Sequence, residues 1–482
     1  MEKARRDFLK AAAGLPILWK TMAVYGSEER LRDDVDQTRL INQDHKCQFN
    51  LARFAAPPIP NLRVGYIGMG NRGLASIRRL SKIEGVEIRA IGDCYEYPIT
   101  QARDYFASIN YPPPAEYYAS EDSWRDLVAR DDLDLVIVTT PQWWHAEMAC
   151  GAMEAGKHAA TEVPLAFTLA DCWRVVETSE RTQRHCALLE NCCYDFFEAM
   201  TTNMALQGVF GELVYGAGAY IHYISPISRV FDEPMPPFSK KAGPYRTIMS
   251  VLEKGNRYPT HGFGPICKAM RINAGDRPDY LVSMETDDFV LRKKFEEVLK
   301  EGKEYHKQFV GKTFSSNLNI SLVRTVGGKG LQVQWGQTSL RPYSRIHELS
   351  GLDGYVQKYP LPGRIYFGDE PVGEERMREL EEQYTPELIK TQQENAMKFG
   401  GHGGMDYICD YRLIDCLRNG LPLDITAYDA AAWSAITPLS LWSATHGSQP
   451  IPFPDFTGGT WKENPPLDLS LRGGGTTAVK AD

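Results

Sequence analysis

"VGYIGMGNRG", Val64 to Gly73, decides the fold. Gly68, Gly70 and Gly73 stand at the spacing of a phosphate-cradling turn, where glycine lets the backbone reach a pyrophosphate and a helix N-terminus stabilises its charge. In a chain with 41 glycines the spacing alone is a weak signal, so the context has to carry it. The preceding "LRVGYIGMG" reads as a buried strand and "NRGLASIRRLSK" as the helix after it. "VEIRAIGDC" reads as a second strand ending near Asp93, 20 residues past Gly73. An acid there would hydrogen-bond a ribose diol and repel a 2′-phosphate, which favours NAD over NADP.

Downstream, "LDLVIVTTP", "HAATEVP" and "CALLENC" read as further strands, separated by helices such as "WHAEMACGAMEAG" and "LADCWRVVETSERTQ". That alternation predicts a parallel sheet covered by helices on both faces. After about Tyr194 the texture changes to alternating strands, among them "GELVYGAGAYIHY", "YLVSMET", "NISLVRTV" and "GLQVQWGQTS". These predict a large antiparallel sheet with one covered face. Residues 345–395 are polar and interrupted by Gly and Pro, and read as a long excursion. "GMDYICDYRLIDCLRNG" and "AYDAAAWSAITPLSLWSATHG" read as helices. The expected class is α/β plus α+β. An export signal and linker occupy 1–60, a Rossmann domain 61–190, an open-faced α+β domain 191–465 and a tail 466–482.

The 482 residues are 43% hydrophobic and 24% charged, as in a soluble globular protein of two or three domains. A net charge of −8 weighs against nucleic acid or an anionic membrane as partner. No apolar run approaches the roughly 20 residues of a membrane span. The ten cysteines include no CxxC pair and only Cys192 and Cys193 are adjacent, so buried free thiols are favoured, with disulfide pairing left open. Arg5-Arg6-Asp7-Phe8-Leu9-Lys10 resembles a twin-arginine export signal, with Ala4 where Ser or Thr is usual. The expected location is the periplasm, reached as a folded protein; a basic amphipathic N-terminus on a cytoplasmic chain is the alternative.

From Leu62 to about Asp287 the chain resembles the Gfo/Idh/MocA oxidoreductases. Dehydrogenases of that family carry Glu-Lys-Pro after the fifth strand. This chain has Glu162-Val163-Pro164, and valine can neither donate a proton nor polarise an alcohol. "ATEVPLAFTLADCW", "LLENCCYDFFE", "GELVYGAGAYIH", "RYPTHGFGPIC" and "DYRLIDCLRNGLPLD" are similar to glycoside hydrolase family 109, over about residues 62–462. The resemblance implies an NAD-dependent α-N-acetylgalactosaminidase acting on terminal sugars of glycans or glycoconjugates. In such enzymes the sugar is oxidised at C3, the C2 proton leaves, the C1 substituent is expelled, water adds and C3 is reduced again. There is no net redox change, so one tightly held NAD suffices even outside the cytoplasm, which fits an exported protein.

Position singles out Tyr194, which follows the sixth strand where a nicotinamide would lie, and His261, and the resemblance singles out the remaining residues. Tyr194 is the expected base for the C2 proton, given a neighbour that lowers its ordinary pKa of about 10. His261, at a helix start after Pro259, is expected to exchange the C3 hydroxyl proton and to touch the sugar. Tyr220, Arg246, Tyr258 and Tyr343 match substrate contacts. Gly68, Gly70, Asn71, Arg72, Asp93, Gln142, Trp143, Trp144, His145, Glu162, Val163 and Asn191 are the expected cofactor contacts. His402 and Asp406 fall at helical spacing, but no third ligand accompanies them and no metal is expected. The open sheet is the expected homo-oligomer face.

Two other functions compete. A periplasmic NAD(P)-dependent sugar oxidoreductase is disfavoured by Val163. A sugar-binding protein with a vestigial NAD site is disfavoured by the full nucleotide fingerprint together with Tyr194 and His261.

Overall fold

The structure is a computed structural model that describes residues 40–41, 43–223, 231 and 254–480. The twin-arginine run and Arg246 lie outside the described residues.

The first sheet has six parallel strands in the order β3-β2-β1-β4-β5-β6: β1 Leu62–Ile67, β2 Val86–Gly92, β3 Ala115–Tyr117, β4 Leu135–Val138, β5 His158–Thr161 and β6 Cys186–Leu188. β1 and β4 pair in register from Val64↔Leu135 to Ile67↔Val138, and the strand order reverses between them. All four residues of β4 are buried, as expected of a strand covered on both faces. β3 comes from within the proline-rich "NYPPPAEYY", where the sequence shows no strand pattern, and it is held only at the sheet edge, by β2.

The covering helices are α1 Asn71–Leu80, α2 Glu96–Ser108, α3 Ser123–Val128, α4 His145–Glu154 and α5 Leu169–Thr182. α6 Phe196–Leu206 leads to the second sheet, of eight strands in the order β13-β12-β11-β7-β10-β9-β8-β14. Its members are β7 Leu213–Ile221, β8 Pro278–Glu285, β9 Asn319–Thr325, β10 Gly330–Gly336, β11 Ser344–Gly351, β12 Tyr355–Gln357, β13 Arg364–Tyr366 and β14 Ile451–Pro452. Every neighbouring pair is antiparallel except β7 with β10. α7 Thr260–Ala269 packs on β7, and α8 Phe289–Leu299 follows β8.

Residues 345–395 are not an excursion. They supply β11, β12 and β13 and then α9 Glu374–Tyr384 and the start of α10 Glu387–Phe399. The strands are short, with only alternate residues buried, so their apolar content is too sparse to stand out in the sequence. The stretch ahead of β1 is no free linker either: Leu51, Phe54 and Ala56 are buried, and His45 Nε2 pairs with Glu180 Oε1 at 3.0 Å.

The C-terminal helices tie the sheets together. α11 Met405–Asn419 packs against α1 and β1, and α12 Ala427–Thr445 packs against both α5 and β8. One buried cluster therefore runs from the first sheet into the second. All ten cysteines are free, eight of them buried. Among the described residues no helix is long and apolar enough to cross a membrane.

Candidate active site

The glycine turn sits between β1 and α1, at the edge where the strand order reverses, which is where ligands bind such sheets. Gly68 has φ 97°, and a Cβ there would meet the Thr139 carbonyl carbon at 2.8 Å. A Cβ on Gly73 would lie 2.0 Å from the Gly68 oxygen, so the turn and the helix can close only with glycine at both places. Gly70 differs: nothing lies within 4 Å of where its Cβ would be. That open side is the approach a pyrophosphate needs. Gly70 caps α1 without a side-chain hydrogen bond, and the first turn holds no acid, so its N–H groups remain available to an anion. Asp93 follows β2 and accepts from the Met69 N–H at 2.8 Å and the Tyr95 N–H at 3.0 Å. Burial pushes its carboxyl up, opposed by those N–H groups. These residues fit a dinucleotide.

The other expected cofactor residues converge on the same edge. Arg72 donates from Nε to Glu162 at 2.6 Å and from Nη1 to Asp406 at 3.0 Å. Asn191 donates its amide to the other oxygen of Asp406, and His402 Nδ1 lies 3.0 Å from Asp406 Oδ2. Asp406 is thus the node joining Arg72, Asn191 and His402. The arginines and His402 hold its carboxyl far below the ordinary range against the effect of burial. Gln142, Trp143 and Trp144 form a single turn after β4, and Gln142 donates to the carbonyl of the buried Val163 at 3.0 Å. His145 is fully buried, its ring nitrogens 2.8 Å from the Pro164 carbonyl and 2.9 Å from the Thr140 carbonyl. It braces two loops of the nucleotide edge and turns both nitrogens to the backbone, so the ligand contact expected of it is not visible in this arrangement.

Beside this edge lies a set of aromatic rings. The close packing of α7 on β7 brings them together: a Cβ on Gly218 would lie 2.0 Å from the Gly262 carbonyl oxygen, and one on Gly262 would lie 2.2 Å from the Ala219 nitrogen. Only glycine at both positions allows the helix to lie so low. Its first turn then sets the His261 ring 5.3 Å from Tyr220 and 4.8 Å from Tyr258, centre to centre, with Tyr343 6.4 Å beyond Tyr220. Four of the five substrate residues expected from the sequence are thereby gathered. Tyr343 accepts from Arg345 Nη1 at 2.9 Å, and Arg345 is fixed by Asp195 and Glu198, each at 2.7 Å. Lys358 joins the same two carboxylates at 2.6 and 3.0 Å. Burial would raise the Asp195 carboxyl, but Lys358 and Arg345 hold it at about 2.

Two further side chains join the site without a signal at their own positions for the contacts they make. Glu190, at the end of β6, is completely buried and its Oε1 lies 2.7 Å from His261 Nδ1. Asp406, which helical spacing pairs only with His402, also takes Arg72 and Asn191. Five successive residues with positive φ, Gly400 to Gly404, deliver it to Arg72, and that glycine run was the available signal.

Residues 194–463 match the family described as Glycosyl hydrolase 109, C-terminal domain, and residues 62–189 match the Oxidoreductase family, NAD-binding Rossmann fold. An "Alpha-N-acetylgalactosaminidase" of Bacteroides fragilis is 41% identical over 86% of this chain and 96% of its own. The chain belongs to glycosyl hydrolase family 109. Another member, a family 109 protein of Shewanella baltica, is 38% identical over 96% of this chain and 98% of its own. Solved structures share the fold at low identity. A scyllo-inositol dehydrogenase from Lactobacillus casei with bound NAD(H) and scyllo-inositol superposes with a TM-score of 0.54 at 14% identity, covering 81% of this chain and 99% of its own. An aldose-aldose oxidoreductase from Caulobacter crescentus gives 0.56 at 14%, covering 82% and 100%.

For this family 109 chain, Tyr194 does not face the aromatic set. It is buried, and its hydroxyl donates to Asp424 at 3.1 Å, where Asp424 also receives Arg412 from Nε and Nη2 at 2.9 Å each. Burial, with the Asp424 charge beside it, pushes the phenol well above its ordinary pKa. As placed, Tyr194 is a hydrogen-bond donor in the interior, not a base beside His261, because the neighbour that would have to lower its pKa is a carboxylate. Glu190, Cys192 and His261 bring three ligand-type atoms within 4.8 Å. However, the carboxylate and imidazole are spent on each other, and burial pushes the Cys192 thiol far above the range in which it would bind a metal.

Proposed function

We propose that this chain hydrolyses terminal α-N-acetylgalactosamine, or a closely related sugar, from glycans or glycoconjugates, with NAD retained through each turnover. The observation that carries the reading is His261. It is backed by a buried carboxylate and flanked by Tyr220 and Tyr258, next to a nucleotide edge whose usual lysine position holds the buried Val163. The glycine turn, Asn71, Arg72, Asp93 and Asn191 would hold the dinucleotide. Bound there, NAD supplies reversible oxidation of the sugar at C3.

The rest falls to the chain's own side chains. Tyr220, Tyr258 and Tyr343 offer ring faces and hydroxyls to a sugar. His261 accepts the C3 hydroxyl proton and later returns it, a task suited to an imidazole near neutral pH. With C3 at the ketone level the C2 hydrogen is acidic. It leaves as a proton to solvent, and the freed electron pair forms the C1–C2 double bond as the C1 group departs with a proton. Water then adds across that bond, hydroxyl to C1 and proton to C2, before C3 returns to the alcohol. The absence of lysine after β5 removes the group that would serve net dehydrogenation, which disfavours a sugar oxidoreductase.

Export by the twin-arginine route belongs to the same reading, since a retained cofactor needs no outside supply. Pairing of two chains through the open sheet does too: Met284 on β8 and Leu322 on β9 stand 53% and 50% exposed on that face.

The test is hydrolysis of aryl α- and β-glycosides in heavy water by the purified protein, without added NAD. Cleavage with deuterium at C2 of the released sugar is expected. Cleavage without C2 deuterium would mean displacement at C1 by two carboxylates and would overturn the proposal.

A further inference from the structure

We propose that Glu190 is the positioning residue of His261, fixing the imidazole as the Nδ1–H tautomer so that Nε2 offers its lone pair to the sugar. This rests on the reading of the site given above. The geometry is direct: Glu190 Oε1 lies 2.7 Å from His261 Nδ1, and a carboxylate can only accept, so the proton sits on Nδ1. Glu190 is 0% exposed. The same oxygen accepts from the Cys192 N–H at 3.0 Å, which pins the carboxylate to the turn after β6. Burial alone would raise its carboxyl, yet His261 and that N–H hold it below the ordinary range, so it is an anion in the interior. A buried anion with one imidazole partner does not persist by accident, because its desolvation is costly unless it is paired and hydrogen-bonded.

Among the described residues no other group is hydrogen-bonded to Nδ1. Tyr220 faces it from β7 and Tyr258 from the segment before α7, both as ring edges or faces. The Arg72–Glu162 pair lies behind Tyr258, and the Cys192, Cys193 and Cys409 thiols lie on the Glu190 side, all pushed up by burial. Among the described residues Glu190 is therefore the one anion in contact with the imidazole, and it acts through His261 without touching the sugar.

The test uses the NAD-loaded full chain. Glu190→Gln keeps the size but can donate to Nδ1 and reverse the tautomer. It should keep its NAD and its KM within about threefold while kcat falls by the 10² to 10⁴-fold of a lost general base. The acidic limb of its kcat/KM profile should move to lower pH, because an imidazolium next to a neutral amide is less favoured than one next to a carboxylate. Glu190→Asp should recover part of kcat. A folded, NAD-loaded Glu190→Gln with unchanged kcat and pH profile would overturn the proposal. Should Glu190→Gln not fold, ¹⁵N spectra of histidine-labelled wild type decide, with His261 assigned by its loss in His261→Ala. An Nδ1–H tautomer is expected; an Nε2–H tautomer would overturn the proposal. If wild type cleaves no glycoside at all, the functional reading falls, while the tautomer still reports on the pair.

Discussion

Arg72 and Asp406 meet at 3.0 Å although 334 residues separate them in the chain. The pair joins the first turn of α1 to the first turn of α11, and so ties the nucleotide edge to the C-terminal part of the protein. The same carboxylate holds Asn191 and His402.

Asp406→Ala should therefore act on stability and cofactor together. Removing one partner of a buried pair typically costs about 3–5 kcal/mol, because the other charge is left uncompensated. Arg72 keeps Glu162 and Arg79 keeps Asp410, so the lower end, about 3 kcal/mol, is expected. Thermal unfolding reads the stability, and NAD remaining after dialysis reads the second effect. A variant that loses stability but keeps NAD as wild type does would place Asp406 outside cofactor retention.

Two alanine substitutions in the glycine turn should separate folding from binding. Gly70→Ala enters open space and should leave the unfolding temperature of the NAD-free protein within about 2 °C, while weakening NAD at least tenfold by crowding its approach. Gly73→Ala would drive a methyl to within 2.0 Å of the Gly68 oxygen and should destabilise the NAD-free protein itself. Calorimetry with and without NAD distinguishes them. Equal loss of stability in both would show that the space above Gly70 is not a ligand approach.

Tyr194→Phe removes one hydrogen bond to Asp424, which still keeps Arg412. The expected loss is about 1 kcal/mol of stability. Cleavage should change less than tenfold, against the 10² to 10⁴-fold of a lost general base. A fall in that larger range, with NAD retained, would return the C2 proton to Tyr194.

Acid should destabilise the fold from about pH 6.5 downward. Burial pushes His158 and His347 down to about 4 and His185 to about 3. The unfolded chain binds these protons near pH 6.5 and the folded chain does not, so stability is full above that pH and is lost as pH falls toward 4. Asp410 opposes this. Burial raises its carboxyl to about 6, so its own contribution falls as pH rises from about 4 to 6. Burial also pushes His145 down and the Asp93 carboxyl up, so four histidines stand against two carboxyls; the net slope is positive, and the unfolding temperature measured from pH 4.5 to 7.5 should rise. His347→Gln should flatten the rise; an unchanged slope would show that His347 is protonated in the fold.

Much of the nucleotide half was legible in the sequence because its signals are local. A buried strand, a glycine turn, a helix and an acid after the next strand lie within 30 residues, Val64 to Asp93, and each is dictated by backbone sterics or strand periodicity. The glycine spacing, Asp93 and the absence of lysine at Val163 needed no structure. Tyr220, Tyr258 and Tyr343 were singled out only by the family resemblance, and their gathering around His261 is a tertiary feature. The strands after β11 were not, because short half-buried strands at the end of a sheet carry too few apolar residues to show a period.

What only the tertiary structure decided was which way the polar groups face. Tyr194 and Glu190 stand four residues apart, both buried, on the same turn after β6. A sequence presents the tyrosine as the reactive candidate and the glutamate as one acid among many. The fold turns the tyrosine inward to Asp424 and the glutamate toward His261, because α11 carries an anion-binding arginine on one side and the Gly218–Gly262 contact brings the histidine down on the other. Charge and hydrogen-bond partners 71 and 230 residues away set those directions, and nothing local to "ENCCY" encodes them.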